Sequence, residues 1–298
     1  SSQNGKILYS IADEGVVAFR VLPNGSLARL NSAKIKGMRG CHLSTSKADD
    51  YIFISGFHDG KITVLHLNED GSVGDIADGV FHKGLGSVAE RSFRPHVSCS
   101  RLTPDERFLM VADLGIDQIK VYRFDHKDGK IALVDTIRCE LESAPKYFMF
   151  SSDGRFFYVL YEMKNVIEVY SYKEGERVPI VEKIQTISST GNKPNQLTAA
   201  CAMHFSPDEK HVFCSNAGDN TVSMYDRDDE TGMLTLRFCL PISGDYPKDI
   251  AIFPGGEHLA SINHEGSISF FKIDYEKGLL VMSYRSIKVN EPNCCEIV

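Results

Sequence analysis

The sequence predicts an all-β fold, a β-propeller of four-stranded antiparallel blades, and three observations support it. A short turn phrase returns along the chain, an alternating strand follows each copy at a regular distance, and no amphipathic helix interrupts the pattern. The period is about 48 residues, the length of four short strands and their turns. Six repeats are visible over residues 1–298, and they are expected to form one domain.

The turn phrase is Ser or Thr, then Pro-Asp or a relative, between two apolar strands. Arg101–Val111 holds Thr103-Pro104-Asp105, Phe150–Val159 holds Ser151-Ser152-Asp153, and Phe205–Phe213 holds Ser206-Pro207-Asp208. Phe253-Pro254-Gly255-Gly256 is a further copy, Ser46–Ile54 a weaker one with Asp49 at the turn position, and Ser1–Leu8 keeps only the turn and the second strand. The third strands alternate as half-buried strands do: Gly60–Leu65, Asp117–Tyr122, Asn165–Tyr170, Asn220–Tyr225 and Gly266–Phe271. Asn24-Gly25, Asp70-Gly71 and Asp128-Gly129 tolerate the positive φ that tight hairpins need. The first repeat lacks an innermost strand, and Cys294–Val298 reads as that strand, paired beside Ile7–Tyr9.

Composition narrows the function classes. Charged residues are 24% of the 298 and the formal net charge is −7, which offers no broad basic surface for a nucleic-acid backbone. No apolar run reaches the roughly 18 to 20 residues of a membrane helix. The eight cysteines form no Cys-x-x-Cys pair and read as thiols in apolar strands, which with the absence of a signal-like apolar start points to a cytoplasmic protein. No compact metal-ligand set is present, and no cofactor is expected.

Register selects the candidate site. Lys146 and Lys248 each lie seven residues before their turn position, and Ser98 does so in the blade before Lys146. Equivalent positions on inner strands should lie at one height, so two lysines there would favour a phosphate or carboxylate. His42 and His96 occupy related positions in neighbouring repeats and carry acid–base capacity near neutral pH. Glu162 ends an apolar strand, where a carboxylate needs a partner or solvent. Asp113 ends the preceding blade's second strand, and His204 lies inside a strand before Phe205.

The chain resembles the lactonase-type seven-bladed propellers, which include bacterial 6-phosphogluconolactonases and fungal carboxy-cis,cis-muconate cyclases. Cys41-His42-Leu43-Ser44-Thr45, Arg94-Pro95-His96-Val97, Leu102–Asp105 with Ala112–Asp117, Tyr161-Glu162-Met163 and Cys214-Ser215-Asn216 carry the resemblance. It implies a lactone hydrolase with His96, Glu162, Lys146 and Lys248 as catalytic residues. His42, Ser98, Asp113 and Asn216 are implied as substrate-binding residues. Against the family pattern, Ser98 replaces a second histidine, Lys146 and Lys248 replace arginines, Ala202 replaces an aspartate and Ala217 an arginine. Two readings follow: a lactonase of small anionic sugar lactones, or a non-catalytic propeller that binds a small anion or a protein partner.

Overall fold

The computed structural model describes residues 1–13, 15–86, 93–191 and 197–297. Its strands form six antiparallel sheets, each a meander in chain order. The first is three-stranded: β1 (Ile7–Ala12), β2 (Gly15–Val21) and β3 (Leu27–Lys34). The second holds β4 (His42–Thr45), β5 (Tyr51–Gly56), β6 (Lys61–Leu67) and β7 (Val73–Phe81), and the third β8 (Val97–Leu102), β9 (Phe108–Asp113), β10 (Gln118–Asp125) and β11 (Lys130–Arg138). The fourth holds β12 (Pro145–Phe150), β13 (Phe156–Tyr161), β14 (Val166–Lys173) and β15 (Ile180–Ser188). The fifth holds β16 (Ala199–Phe205), β17 (His211–Ala217), β18 (Thr221–Arg227) and β19 (Leu234–Pro241), and the sixth β20 (Pro247–Ile252), β21 (His258–Asn263), β22 (Ser267–Asp274) and β23 (Leu279–Lys288).

The chain divides into two compact units, residues 1–146 with 174–180, and residues 147–173 with 181–297. In the first unit, Ile7, Tyr9 and Val16 pack on Ile52, Ile54 and Leu65 of the second sheet. The other face of that sheet sets Phe53, Ile62 and Val64 against Val97, Leu109, Val111 and Tyr122 of the third. In the second unit, Tyr158, Leu160 and Val169 meet Met203, Val212 and Tyr225, and Phe213 and Met224 meet Ile250, Leu259 and Phe271. A strand buried on both faces is apolar at every position, as Tyr51–Gly56, Phe108–Asp113 and Phe156–Tyr161 nearly are.

The turn phrase folds into one six-residue loop in every sheet. Its first amide donates to the carbonyl of the sixth residue: Ser2 to Ile7 (2.8 Å), Ser46 to Tyr51 (3.1 Å), Thr103 to Phe108 (2.8 Å), Ser151 to Phe156 (2.9 Å), Ser206 to His211 (2.9 Å) and Phe253 to His258 (2.9 Å). The fourth residue has positive φ: Gly5, Asp49, Glu106, Gly154, Glu209 and Gly256. This moves one expectation. Asp49 is the counterpart of Glu106, not of Asp105; Ala48 stands opposite Asp105, and Asp50 supplies the carboxylate that the Ser46 hydroxyl meets at 2.5 Å.

The expected strand at Cys294–Val298 is not formed. Residues 294–297 have no strand geometry, Val298 lies outside the described residues, and the first sheet stays three-stranded. Within the second unit the Cys295 amide donates to Asp249 Oδ2 (3.0 Å), so the segment's backbone is satisfied by a side chain rather than by a ladder.

Candidate active site

The site begins with a repeated irregularity. In β8 against β9, Val97 faces Asp113 and Cys99 faces Ala112, so Ser98 has no partner across the pair. Cys201 is skipped in the same way between Ala200 and Ala202, and Lys248 between Pro247 and Asp249. One extra residue in an inner strand bends it and re-aims the extra side chain. Lys146 follows Pro145 at the start of β12 as Lys248 follows Pro247. With the turn register corrected, Cys41 joins the set, since it precedes Ala48 by the same seven residues. Cys41 and Cys201 were missed in the sequence; the offset from the turn was the signal that could have found them.

In the first unit these positions touch in series. Cys41 is exposed, but its Sγ lies against the carbonyls of Val97 (3.3 Å) and Ser98 (3.6 Å). Burial of the thiol among these groups and the neighbouring Cys99 thiol push Cys41 up to about 12, against an opposing pull from the Lys146 ammonium. The Ser98 hydroxyl donates to the carbonyl of Pro145 (3.0 Å), the residue before Lys146.

His96 lies at the same end. It is buried, its ring stacks on Phe57 at 4.4 Å, and its Nδ1 is 2.7 Å from the Phe57 carbonyl oxygen. A carbonyl only accepts, so Nδ1 carries a hydrogen, and Nε2 is the nitrogen that can exchange a proton. Phe57 also hydrogen-bonds the Cys41 thiol, so one series of contacts runs from His96 through Phe57 and Cys41 to Ser98 and on to Pro145, the residue before Lys146.

His42 has the opposite tautomer. Its Nδ1 accepts the Ser100 amide (3.4 Å) and its Nε2 faces Cys99 Sγ at 3.6 Å. Burial and then the nearby Arg101 cation pull its pKa down to about 3, so it stays neutral and ties β4 to β8.

Asp113 and Asn216 are both 0% exposed and occupy one register, the sixth position of β9 and of β17. Asn216 Nδ2 donates to the Ser189 carbonyl (2.8 Å) and Thr221 Oγ1 (3.2 Å). Asp113 accepts from the His96 amide (2.8 Å) and the Gly115 amide (3.1 Å) on Oδ1, and from His82 Nδ1 (2.7 Å) on Oδ2. Both side chains are committed inside the protein, because a buried polar group needs partners there. Glu162 stands one position later than this register; it is buried, and its carbonyl accepts the Ala200 amide (3.4 Å).

In the second unit Lys248 is half-buried and its Nζ donates to Asn293 Oδ1 (2.9 Å). Asp249 beside it accepts from His204 Nε2 at 3.0 Å. Among the described residues no group of three or more His, Cys, Asp or Glu side chains is arranged to hold a metal ion.

Residues 1–297 match the model of a family described as lactonase, 7-bladed beta-propeller. The chain belongs to this family. It is 27% identical over 304 residues to a 6-phosphogluconolactonase of Bacillus subtilis, covering 100% of this chain and 86% of that protein. It is 24% identical over 302 residues to one of Formosa agariphila, covering 97% and 84%. A crystal structure of a Bacteroides fragilis protein provisionally named 6-phosphogluconolactonase superposes with a TM-score of 0.87 at 29% identity, over 98% of this chain and 84% of that one. The periplasmic gluconolactonase PpgL of Pseudomonas aeruginosa shares the fold, with a TM-score of 0.88 at 23% identity over 98% and 85%.

Proposed function

We propose that the protein is a lactone hydrolase whose substrate is a small anionic sugar lactone such as 6-phosphogluconolactone. One observation carries the reading: His96, its Nδ1 tied to the Phe57 carbonyl, joins the Ser98 and Lys146 strand starts in one contact series. The relatives named 6-phosphogluconolactonase agree with it in class.

Lys146 would hold the phosphate or carboxylate as a point charge. His96 Nε2 would take a proton from water as the water oxygen bonds to the lactone carbonyl carbon. The ring C–O bond then breaks, and the leaving ring oxygen takes a proton to become a hydroxyl. Water is the nucleophile in this scheme, because Cys41, the thiol nearest the site, is pushed up to about 12 and is protonated at neutral pH.

Acid release at constant pH from 6-phosphogluconolactone and from unphosphorylated gluconolactone tests the reading. Saturable turnover above the spontaneous rate is expected, with preference for the phosphorylated lactone. His96→Gln should lower kcat by about 100-fold or more. Calorimetric binding of 6-phosphogluconate without turnover of either lactone would overturn the reaction and leave a binding propeller.

A further inference from the structure

The buried carboxylate of Asp113 is not required by the blade plan. At the same register the first and second sheets carry Ala12 and Gly56, and the fourth to sixth carry Tyr161, Asn216 and Asn263, each hydrogen-bonded inside its own sheet or loop. Only the third sheet, among these, places an ionisable acid there, at 0% exposure. A charge so placed is costly unless several donors meet it, and three do.

Those donors come from three segments. His82 follows β7, His96 precedes β8, and Gly115 lies in the loop after β9. His82 and His96 are the two ends of the connection between β7 and β8, so one carboxylate clamps both. The loop after β9 closes on the same segment: the Leu114 amide donates to the His96 carbonyl (3.0 Å), and a Cβ on Gly115 would run into the Arg94 carbonyl and lie 2.7 Å from His96 Cδ2. The His82 side chain is itself 0% exposed, and among the described residues its Nε2 has no hydrogen-bond partner. A histidine buried with one nitrogen unsatisfied is held there for its other nitrogen, the one on Asp113.

We propose that Asp113, backed by His82, is the positioning residue that holds His96 in its working orientation. The inference rests on the reading of His96 as the proton-transfer group. Asp113 fixes the His96 backbone and Phe57 fixes the ring, and among the described residues no hydrogen bond engages Nε2. Asp113 does not touch substrate in this assignment; it acts through His96. Lys120, whose ammonium lies near both Asp113 and His82, and Tyr122, whose ring stacks on His82 at 6.0 Å, are the other polar groups packed against the pair.

Two pairs of variants test it: Asp113→Asn with Gly115→Ala, and His82→Asn with His82→Leu. His82→Asn keeps a donor for Asp113 and His82→Leu does not. The readouts are the imidazole NMR titration of His96, assigned by its loss in His96→Gln, and kcat and KM for 6-phosphogluconolactone. Asp113→Asn and His82→Leu should shift the His96 titration and the pH profile of kcat. They should lower kcat by roughly 10- to 100-fold with KM within about twofold, since Lys146 is untouched. His82→Asn should recover most of the loss. The His96 titration is read whether or not the wild type turns over, so absent turnover overturns only the hydrolase reading. If Asp113→Asn does not fold, the His82 pair decides alone. A folded Asp113→Asn or His82→Leu protein with an unchanged His96 titration and pH profile overturns the proposal and makes Asp113 a blade pin like Asn216.

Discussion

The third and fifth sheets repeat one plan and differ at the positions that matter for chemistry. Both skip one residue in the inner strand, Ser98 in β8 and Cys201 in β16. Both place a fully buried polar side chain at the sixth position of the second strand, Asp113 in one and Asn216 in the other. The Asn216 amide donates to Ser189, Thr221 and Ser223 and locks its own corner. The Asp113 carboxylate only accepts, and what it accepts from includes the His96 amide. Four of the six sheets place a hydrogen-bonding side chain at this register, and its charge is open to use by a site.

The largest expected effect separates the two pins. Asn216→Asp would set a carboxylate against the Ser189 carbonyl, now 2.8 Å from Nδ2, in a place without solvent. Urea unfolding should show a loss of about 4 kcal/mol. Asp113→Asn keeps one acceptor and should lose less in stability. Equal losses would break the comparison.

The next contrast is between His96 and His42, two histidines of the first unit. Because the folded pKa of His42 is pulled below its ordinary 6.5 to about 3, the unfolded chain binds its proton first as pH falls. Stability from this group is therefore full above about pH 6.5 and declines down to about pH 3, by a total of about 4 kcal/mol. His42→Gln should flatten that part of the stability–pH curve. A curve as steep as that of the wild type would mean that His42 titrates normally and is free to meet ligand.

Lys146 and Lys248 share a register, and Lys248 Nζ donates to Asn293 Oδ1. In calorimetry with 6-phosphogluconate, Lys146→Ala should weaken binding by about 2 kcal/mol, the scale of a charged hydrogen bond. The loss from Lys248→Ala should be smaller. Unchanged affinity in Lys146→Ala would remove that lysine from the site.

The smallest effect concerns the shared turn. Ser206 Oγ accepts the His211 amide (3.0 Å) and donates to Asp208 (2.6 Å), so Ser206→Ala should cost about 1 kcal/mol in thermal or urea unfolding. The sixth sheet has Phe253 at this position and makes the turn with backbone bonds alone, which bounds how much the hydroxyl contributes.

Much of this was legible in the residues. The turn phrase, the positive-φ hairpin glycines and the incomplete first sheet could be read because they depend on local backbone conformation, which short sequence stretches specify. The lysine register could also be read, because a bulge at a constant offset from a constant turn repeats with the sequence. The Asp49 slip arose where two aspartates stand together and only φ tells which one takes the left-handed position. That slip hid Cys41.

By itself the sequence determined the all-β repeat, its strand order and the row of inner-strand positions from Ser98 to Lys248, since each rests on periodicity along the chain. Only the tertiary structure decided which of those side chains are available. Asp113 meeting His82 and His96, His42 accepting from Ser100, and the 294–297 segment resting on Asp249 rather than pairing as a strand all join residues far apart in sequence. Hydrogen-bond partners and tautomers are set by what a buried group finds within about 3 Å, and that distance is measured across the fold, not along the chain.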